Sequence, residues 1–217
     1  MKRARIPALA LVALVALGVR AGAAQQQLDA RLDPATRAAV AALVDSARDK
    51  GLPAEPLTAK ALEGASKGAD GARIVVAVRA LAARLDAART ALGPAAAQAD
   101  LVAGAAALQA GVQPVTLAKM RAARPREALA VALVVLADIV ARGVPADTAS
   151  KLILRVANSR AGDDAFDALR RDVARDIVAG APLVVAAAVR TQGVVGGAAA
   201  DGPATTGLTS SGRPRSP

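Results

Sequence analysis

The chain of 217 residues has no cysteine, histidine, tryptophan or tyrosine, and its one aromatic side chain is Phe166. Each absence removes a class of chemistry. Without histidine, no side chain with an ordinary pKa changes charge near neutrality, so the commonest general base is missing. Without histidine and cysteine, the usual ligand sets of zinc, haem and iron–sulfur centres cannot be assembled. Carboxylates still offer oxygens to magnesium or calcium, yet Asp163, Asp164 and Asp167 do not have the spacing of a calcium loop. There is no phosphate-binding glycine loop, nucleophile elbow or paired catalytic carboxylate pattern. The sequence therefore argues against catalysis and calls for no cofactor, no metal and no catalytic residue. Disulfides are excluded as well, which leaves the redox compartment open. The lack of stacking aromatics makes sequence-specific reading of nucleic acid unlikely.

What is present is alanine, arginine and positive charge. The formal net charge is +10, of which Lys2, Arg3, Arg5 and Arg20 supply four, so residues 24–217 carry 10 − 4 = +6. A GC-rich genome imposes the same Arg and Ala bias at neutral positions, so the bias marks no partner. The field supports at most weak, salt-dependent binding to an anionic surface.

The N-terminus reads as an address. A basic start, Met1 to Arg5, precedes an apolar run, Ile6 to Val19, and then Ala21-Gly22-Ala23. This is the three-part pattern of a secretory signal peptide over residues 1–23, cleaved near Ala23 or Ala24. Fourteen apolar residues make a helix of about 21 Å, short of the ~30 Å hydrocarbon core, which disfavours an uncleaved anchor. The expected location is periplasmic or secreted.

Residues 24–32 form a polar lead-in, and residues 33–191 read as a single all-α domain, an irregular helical-hairpin array or bundle of about eight or nine helices. Asp33-Pro34 and Asp70 start helices over 34–50 and 71–92. Ile74, Val78, Leu81, Leu85, Ala88 and Leu92 follow a 4-3-4-3-4 spacing, a coiled-coil-like seam. Further helices are expected over 55–67, 95–110, 114–123, 125–142, 146–158, 163–179 and 182–190. The run Ala128 to Ala137 is apolar on every side, which marks the 125–142 helix as the central core helix. Residues 192–217, rich in Gly, Ala, Thr, Ser and Pro, are expected to be a disordered tail.

One signal recurs. Gly51-Leu-Pro-Ala-Glu is echoed 92 residues later by Gly143-Val-Pro-Ala-Asp, more loosely at Gly111, and again at Gly180-Ala-Pro. The same shift pairs Ile74 with Phe166, Leu81 with Val173 and Leu85 with Ile177, so the domain carries imperfect internal repeats. The run Gly51-Leu-Pro-x-x-Pro-Leu-x-x-Lys-x-x-Glu-Gly-x-x-Lys-Gly68 resembles a stretch of uncharacterised exported proteins of GC-rich bacteria. The resemblance implies export and an α-helical fold, and it brings no known activity.

Two polar groups stand out. Lys60, Glu63 and Lys67, with Thr58 and Ser66 nearby, form a candidate interaction face, read structurally as i,i+3 and i,i+4 pairs on a solvated helix. Lys119, Arg121, Arg124 and Arg126 form a candidate anion patch, read structurally as a solvated turn. The expectation is a non-enzymatic exported α-helical binding or scaffolding protein of the bacterial envelope, partnered by an unknown protein or envelope component. Its alternatives are electrostatic association with an anionic polymer or membrane surface, and an enzyme built on carboxylates or Lys.

Overall fold

The computed structural model describes residues 31–159 and 161–200, the last three as backbone alone. The expected signal peptide, most of the expected lead-in and residues 201–217 of the expected tail lie outside the described residues. All nine described elements are helices: α1 (Pro34–Asp49), α2 (Glu55–Ser66), α3 (Gly71–Leu92), α4 (Gln98–Gln109), α5 (Pro114–Ala123), α6 (Ala130–Ala141), α7 (Ala146–Asn158), α8 (Asp163–Val178) and α9 (Leu183–Ala200).

The helix starts follow the local chemistry. Asp33 accepts the Thr36 N–H at 3.0 Å and Asp70 the Arg73 N–H at 2.8 Å, each satisfying a backbone donor that the helix leaves open. Pro34, Pro56 and Pro114 occupy first turns, where the missing N–H costs nothing. The recurring glycine signal turns out to be one capping device. Gly51 and Gly143 adopt φ of +66° and +105°, a region open to glycine and strained for residues with a Cβ. The next N–H then reaches back five residues, Leu52 to Ala47 O at 2.8 Å and Val144 to Ile139 O at 3.3 Å. Val112 to Ala107 O and Ala181 to Asp176 O repeat it at 3.1 and 2.9 Å. This is the Schellman ending. Leu52, Val112 and Val144 are buried, so three of the four caps also feed an apolar side chain into the core.

The helices pack as an array. The principal contacts all join helices one or two apart in order: α1 and α2 on α3, α3 on α4 and α5, α4 on α6, α5 on α7, α6 on α7 and α8, α7 and α8 on α9. The 92-residue shift lays α1–α3 onto α6–α8, and the pairings α1–α3 and α1–α2 recur as α6–α8 and α6–α7. The repeat breaks at α7, which turns to α9 where α2 leans on α3.

The core is built from small and aliphatic side chains. On α3 the seam residues Ile74, Val78, Leu85, Ala88 and Leu92 are buried and Leu81 is half-buried. With no aromatic bulk to bridge gaps, helices approach closely. A Cβ on Gly64 of α2 would lie 2.8 Å from Ile74 Cγ1, and one on Gly104 of α4 would meet Ala88 Cβ at 3.1 Å, Leu117 Cδ2 at 3.2 Å and Leu92 Cδ1 at 3.3 Å.

Three boundaries differ from the sequence expectation. The helix expected over 95–110 begins only at Gln98. The one expected over 125–142 begins at Ala130, because side chains of α4 and α5 take up the backbone groups of residues 124–129, as detailed below. Ala132, Leu133, Val135, Leu136 and Ile139 of α6 are buried, as its central position requires, while Val134 reaches the surface. The last helix does not stop at 190. Residues 192–200, assigned from composition to the tail, continue α9, because Thr191 is buried and Val194 and Val195 pack against the core.

Gly104 sits between α3 and α5, so Gly104→Leu should overpack that junction and cost about 1–3 kcal/mol of unfolding free energy. Urea denaturation followed by far-UV circular dichroism checks this, and an unchanged midpoint would contradict the close approach.

Candidate functional site

Lys60, Glu63 and Lys67 project from α2 along one face, and the structure does bring them together. Glu63 accepts from Lys60 Nζ at 2.9 Å and from Lys67 Nζ at 2.5 Å. Hydrogen bonds from Lys67 and then Lys60 pull its carboxyl down from the ordinary 4.5 to about 2. The three rim an open groove of about 210 Å³ between α2 and α3, with Gly64, Ala69, Ile74 and Ala77 as apolar walls and Arg73 on the far side. Arg73 is paired with Asp70 at 3.1 Å. At the end of α2, Ser66 accepts from Arg31 Nη1 at 2.9 Å and donates to Leu62 O at 2.8 Å. Neither Lys60 nor Glu63 points into a deep pocket. The groove offers two lysines already neutralising one carboxylate above a shallow apolar floor.

Lys119, Arg121, Arg124 and Arg126 do not form one surface patch. Lys119 and Arg126 are exposed, whereas Arg121 and Arg124 turn inward. Arg121 Nη2 donates to Asp100 Oδ2 at 2.8 Å, and its Nη1 donates to the carbonyls of Glu127 at 2.9 Å and Arg124 at 3.2 Å. Asp100 is 2% exposed, and its second oxygen accepts the Leu129 N–H at 2.9 Å, just ahead of α6. Arg124 is 5% exposed, pairs with Glu127 and with Asp163 at 3.2 Å, and lies 5.3 Å from the centroid of Phe166. This geometry allows a cation–π contact with the only aromatic ring. One nitrogen of each arginine, Arg121 Nε and Arg124 Nη1, is buried without a hydrogen-bond partner. Two guanidiniums face three carboxylates here, so an incoming anion would have to displace a resident one.

Sequence inspection placed these two arginines in solvent, and the signal that would have corrected it is faint. Asp100 is the only charged residue of α4, a lone acid in an alanine-rich helix. A second missed feature is the tie between α8 and α9. Arg190 grips Asp176 through Nε at 2.6 Å and Nη2 at 2.7 Å. These bonds hold the Asp176 carboxyl below its usual range and push the Arg190 guanidinium up.

Other openings combine apolar walls with scattered polar groups, Ser46, Lys50, Arg79 and Asp86 in one of about 260 Å³ between α1 and α3. A groove of about 460 Å³ between the C-terminal halves of α4 and α6 is lined by Ala106, Ala110, Ala137, Val140 and Ala141, with Gln109 and Asp138 as its polar groups. Asp138 is paired with Arg142 at 3.0 Å. Among the described residues no three acidic groups converge as a metal site, and no helix is long and apolar enough to cross a membrane. Compared with known proteins, the chain matches no family model, no curated protein and no solved structure.

Two tests follow from these geometries. Glu63 has a depressed pKa, so its contribution is fully present above about 4.5 and is lost as pH falls toward about 2. The pair is exposed and the effect small. The denaturation midpoints of the wild type and Glu63→Gln should differ above about pH 4.5 and converge near pH 2, and converge likewise in high salt. A gap independent of pH would mean that the ion pairs contribute nothing. Asp100→Ala leaves a half-buried guanidinium without its carboxylate and a buried backbone N–H without its acceptor, and should cost about 1–3 kcal/mol in urea unfolding. Asp100→Asn, which keeps the volume and an acceptor for Leu129, should lose less; equal losses would assign the effect to the carboxylate charge facing Arg121 and not to the Leu129 hydrogen bond.

Proposed function

We propose that the chain is a non-enzymatic, exported α-helical protein of the bacterial envelope that works by binding or scaffolding. The observation that carries this reading is how the polar side chains are used. In both charged groups marked out by the sequence, the acidic side chains are engaged by neighbouring cations, Glu63 by two lysines and Asp100, Glu127 and Asp163 by Arg121 and Arg124. General acid–base work needs a group within reach of a substrate proton and not already spent on a neighbour. The grooves are shallow and walled largely by alanine and aliphatic carbon, surfaces suited to another helix. Export rests on the basic, apolar and small-residue succession of residues 1–23 and on the likeness of the Gly51–Gly68 stretch to exported proteins.

Electrostatic attachment to an anionic surface is the second reading, and it retains only the exposed Lys119 and Arg126 of the original four. The two readings part under salt. Tagged mature protein used as bait in its own envelope extract should retain a discrete partner when ionic strength is raised, and should turn over no member of a small-molecule panel. Capture that vanishes in salt, and drops in a Lys119→Gln, Arg126→Gln variant, would move the assignment to anionic surfaces. Turnover abolished by a single substitution at Lys60 or Glu63 would overturn it in favour of an enzyme.

A further inference from the structure

Among the described residues, the C-terminal helix of the array keeps one apolar face uncovered. Of the eight large hydrophobic residues exposed among the described residues, four cluster here: Val178 at the end of α8 and Val184, Val185 and Val189 on α9. On α9, Val185, Val189, Gln192 and Gly196 are all exposed and follow the 4-3-4 spacing of the α3 seam. On α3 that spacing buries a stripe against neighbouring helices; on α9 the same stripe has no neighbour among the described residues. The period specifies the occupant as a helix.

The glycines point the same way. Within helices α2, α3 and α4, an added Cβ on Gly64, Gly71 or Gly104 would strike Ile74, Thr36 or Ala88. Each of those glycines permits a close helix approach. Gly193, Gly196 and Gly197 of α9 have nothing within 4 Å of an added Cβ. Glycine is a poor helix former, and nothing in the described fold requires it at these three sites. A helix passing close to the C-terminal half of α9 would.

We propose that this seam docks a second copy of the chain, α9 against α9, antiparallel about a twofold axis near residue 190. This rests on the reading of the protein as a binding or scaffolding module. The second copy is chosen because the stripe complements itself: its first half carries Val185 and Val189, and its second half Gln192 and Gly196, with Gly193 and Gly197 beside them. In the antiparallel register Val185 of one copy faces Gly196 of the other, and Val189 lies against Gln192 and Gly193. The seam carries no charge, so two copies meet without like-charge repulsion, and Arg190 beside it is already neutralised by Asp176. A helix of 18 residues is about 27 Å long, and one such pair is smaller than the interfaces of permanent dimers. The dimer is therefore reversible and concentration-dependent, and it joins two arrays end to end.

The chain has no cysteine, so single introduced thiols report on the contact without interference. The mature protein should show a monomer–dimer equilibrium in sedimentation. Val189→Asp, at an exposed site, should raise its dissociation constant at least about tenfold without loss of helical signal. A mixture of Val185→Cys and Gly196→Cys proteins should form the mixed disulfide in preference to either like pair. A monomer at every concentration overturns the proposal, as does cross-linking of like with like, which would mean parallel helices. If the protein stays monomeric yet Val189→Asp abolishes capture of an envelope partner, the seam belongs to a different protein; the self-docking falls and the binding reading stands. A monomer that also captures nothing removes both.

Discussion

Asp100 has both carboxylate oxygens engaged inside the protein, one by the Arg121 guanidinium and the other by the Leu129 N–H. Three consecutive helices depend on that arrangement. Asp100 stands in the first turn of α4, Arg121 near the end of α5, and Leu129 just ahead of α6. A helix start needs an acceptor for its unpaired donors and favours negative charge beside them. Nothing in residues 124–129 supplies that acceptor locally to the Leu129 N–H, so α6 receives it from another helix. Arg121 in turn covers the charge of Asp100 and takes up the carbonyls of Arg124 and Glu127. That holds the connection open where the periodicity alone would continue a helix. Breaking a buried pair of this kind is costly, even though an apolar replacement of the whole pair can match its stability. Its physical role here is specification. Alanine faces resemble one another and tolerate sliding, while a carboxylate with two fixed donors fits one register only.

The remainder of the fold is what such helices do when bulk is missing. With one aromatic ring in the chain, gaps between helices are closed by approach and not by filling. Gly64 and Gly104 lie where that approach is closest, and the Schellman endings deliver Leu52, Val112 and Val144 into the core from the turns themselves. Contacts then join near neighbours in order, which makes the array nearly one-dimensional. Among the described residues, interior helices are covered on both sides, whereas the two end helices are covered on one.

How much of this the sequence discloses depends on the range of the physics involved. The caps at Asp33 and Asp70, the Gly-x-Pro stops, the α3 seam and the Lys60–Glu63–Lys67 ladder are interactions within a few residues. All are readable from spacing, and all are present. Arg121 and Arg124 look like a solvated basic turn because their deciding partners, Asp100 and Asp163, lie 21 and 39 positions away in the chain. No local pattern marks a lone acid in an alanine helix as the partner of a distant arginine. The extent of α9 fails for a related reason. Gly193, Gly196 and Gly197 lower the helix propensity of the segment, and tertiary packing of Thr191, Val194 and Val195 overrides it.

The two ends of the array differ in a way that bears on partner choice. At the N-terminal end the exposed positions Ala38, Ala42, Asp45 and Asp49 of α1 share the 4-3-4 spacing of Val185, Val189, Gln192 and Gly196 on α9. One stripe ends in carboxylates and the other holds no charge. Terminal units of helical arrays stay soluble by presenting a polar outer face, and α1 does this while α9 does not. Surface charge does little to correct the imbalance, because exposed ion pairs such as Arg175–Asp172 are screened and contribute little. The proposed self-docking therefore draws on short-range burial of apolar surface and not on charge, and it uses the exposed valines of α9.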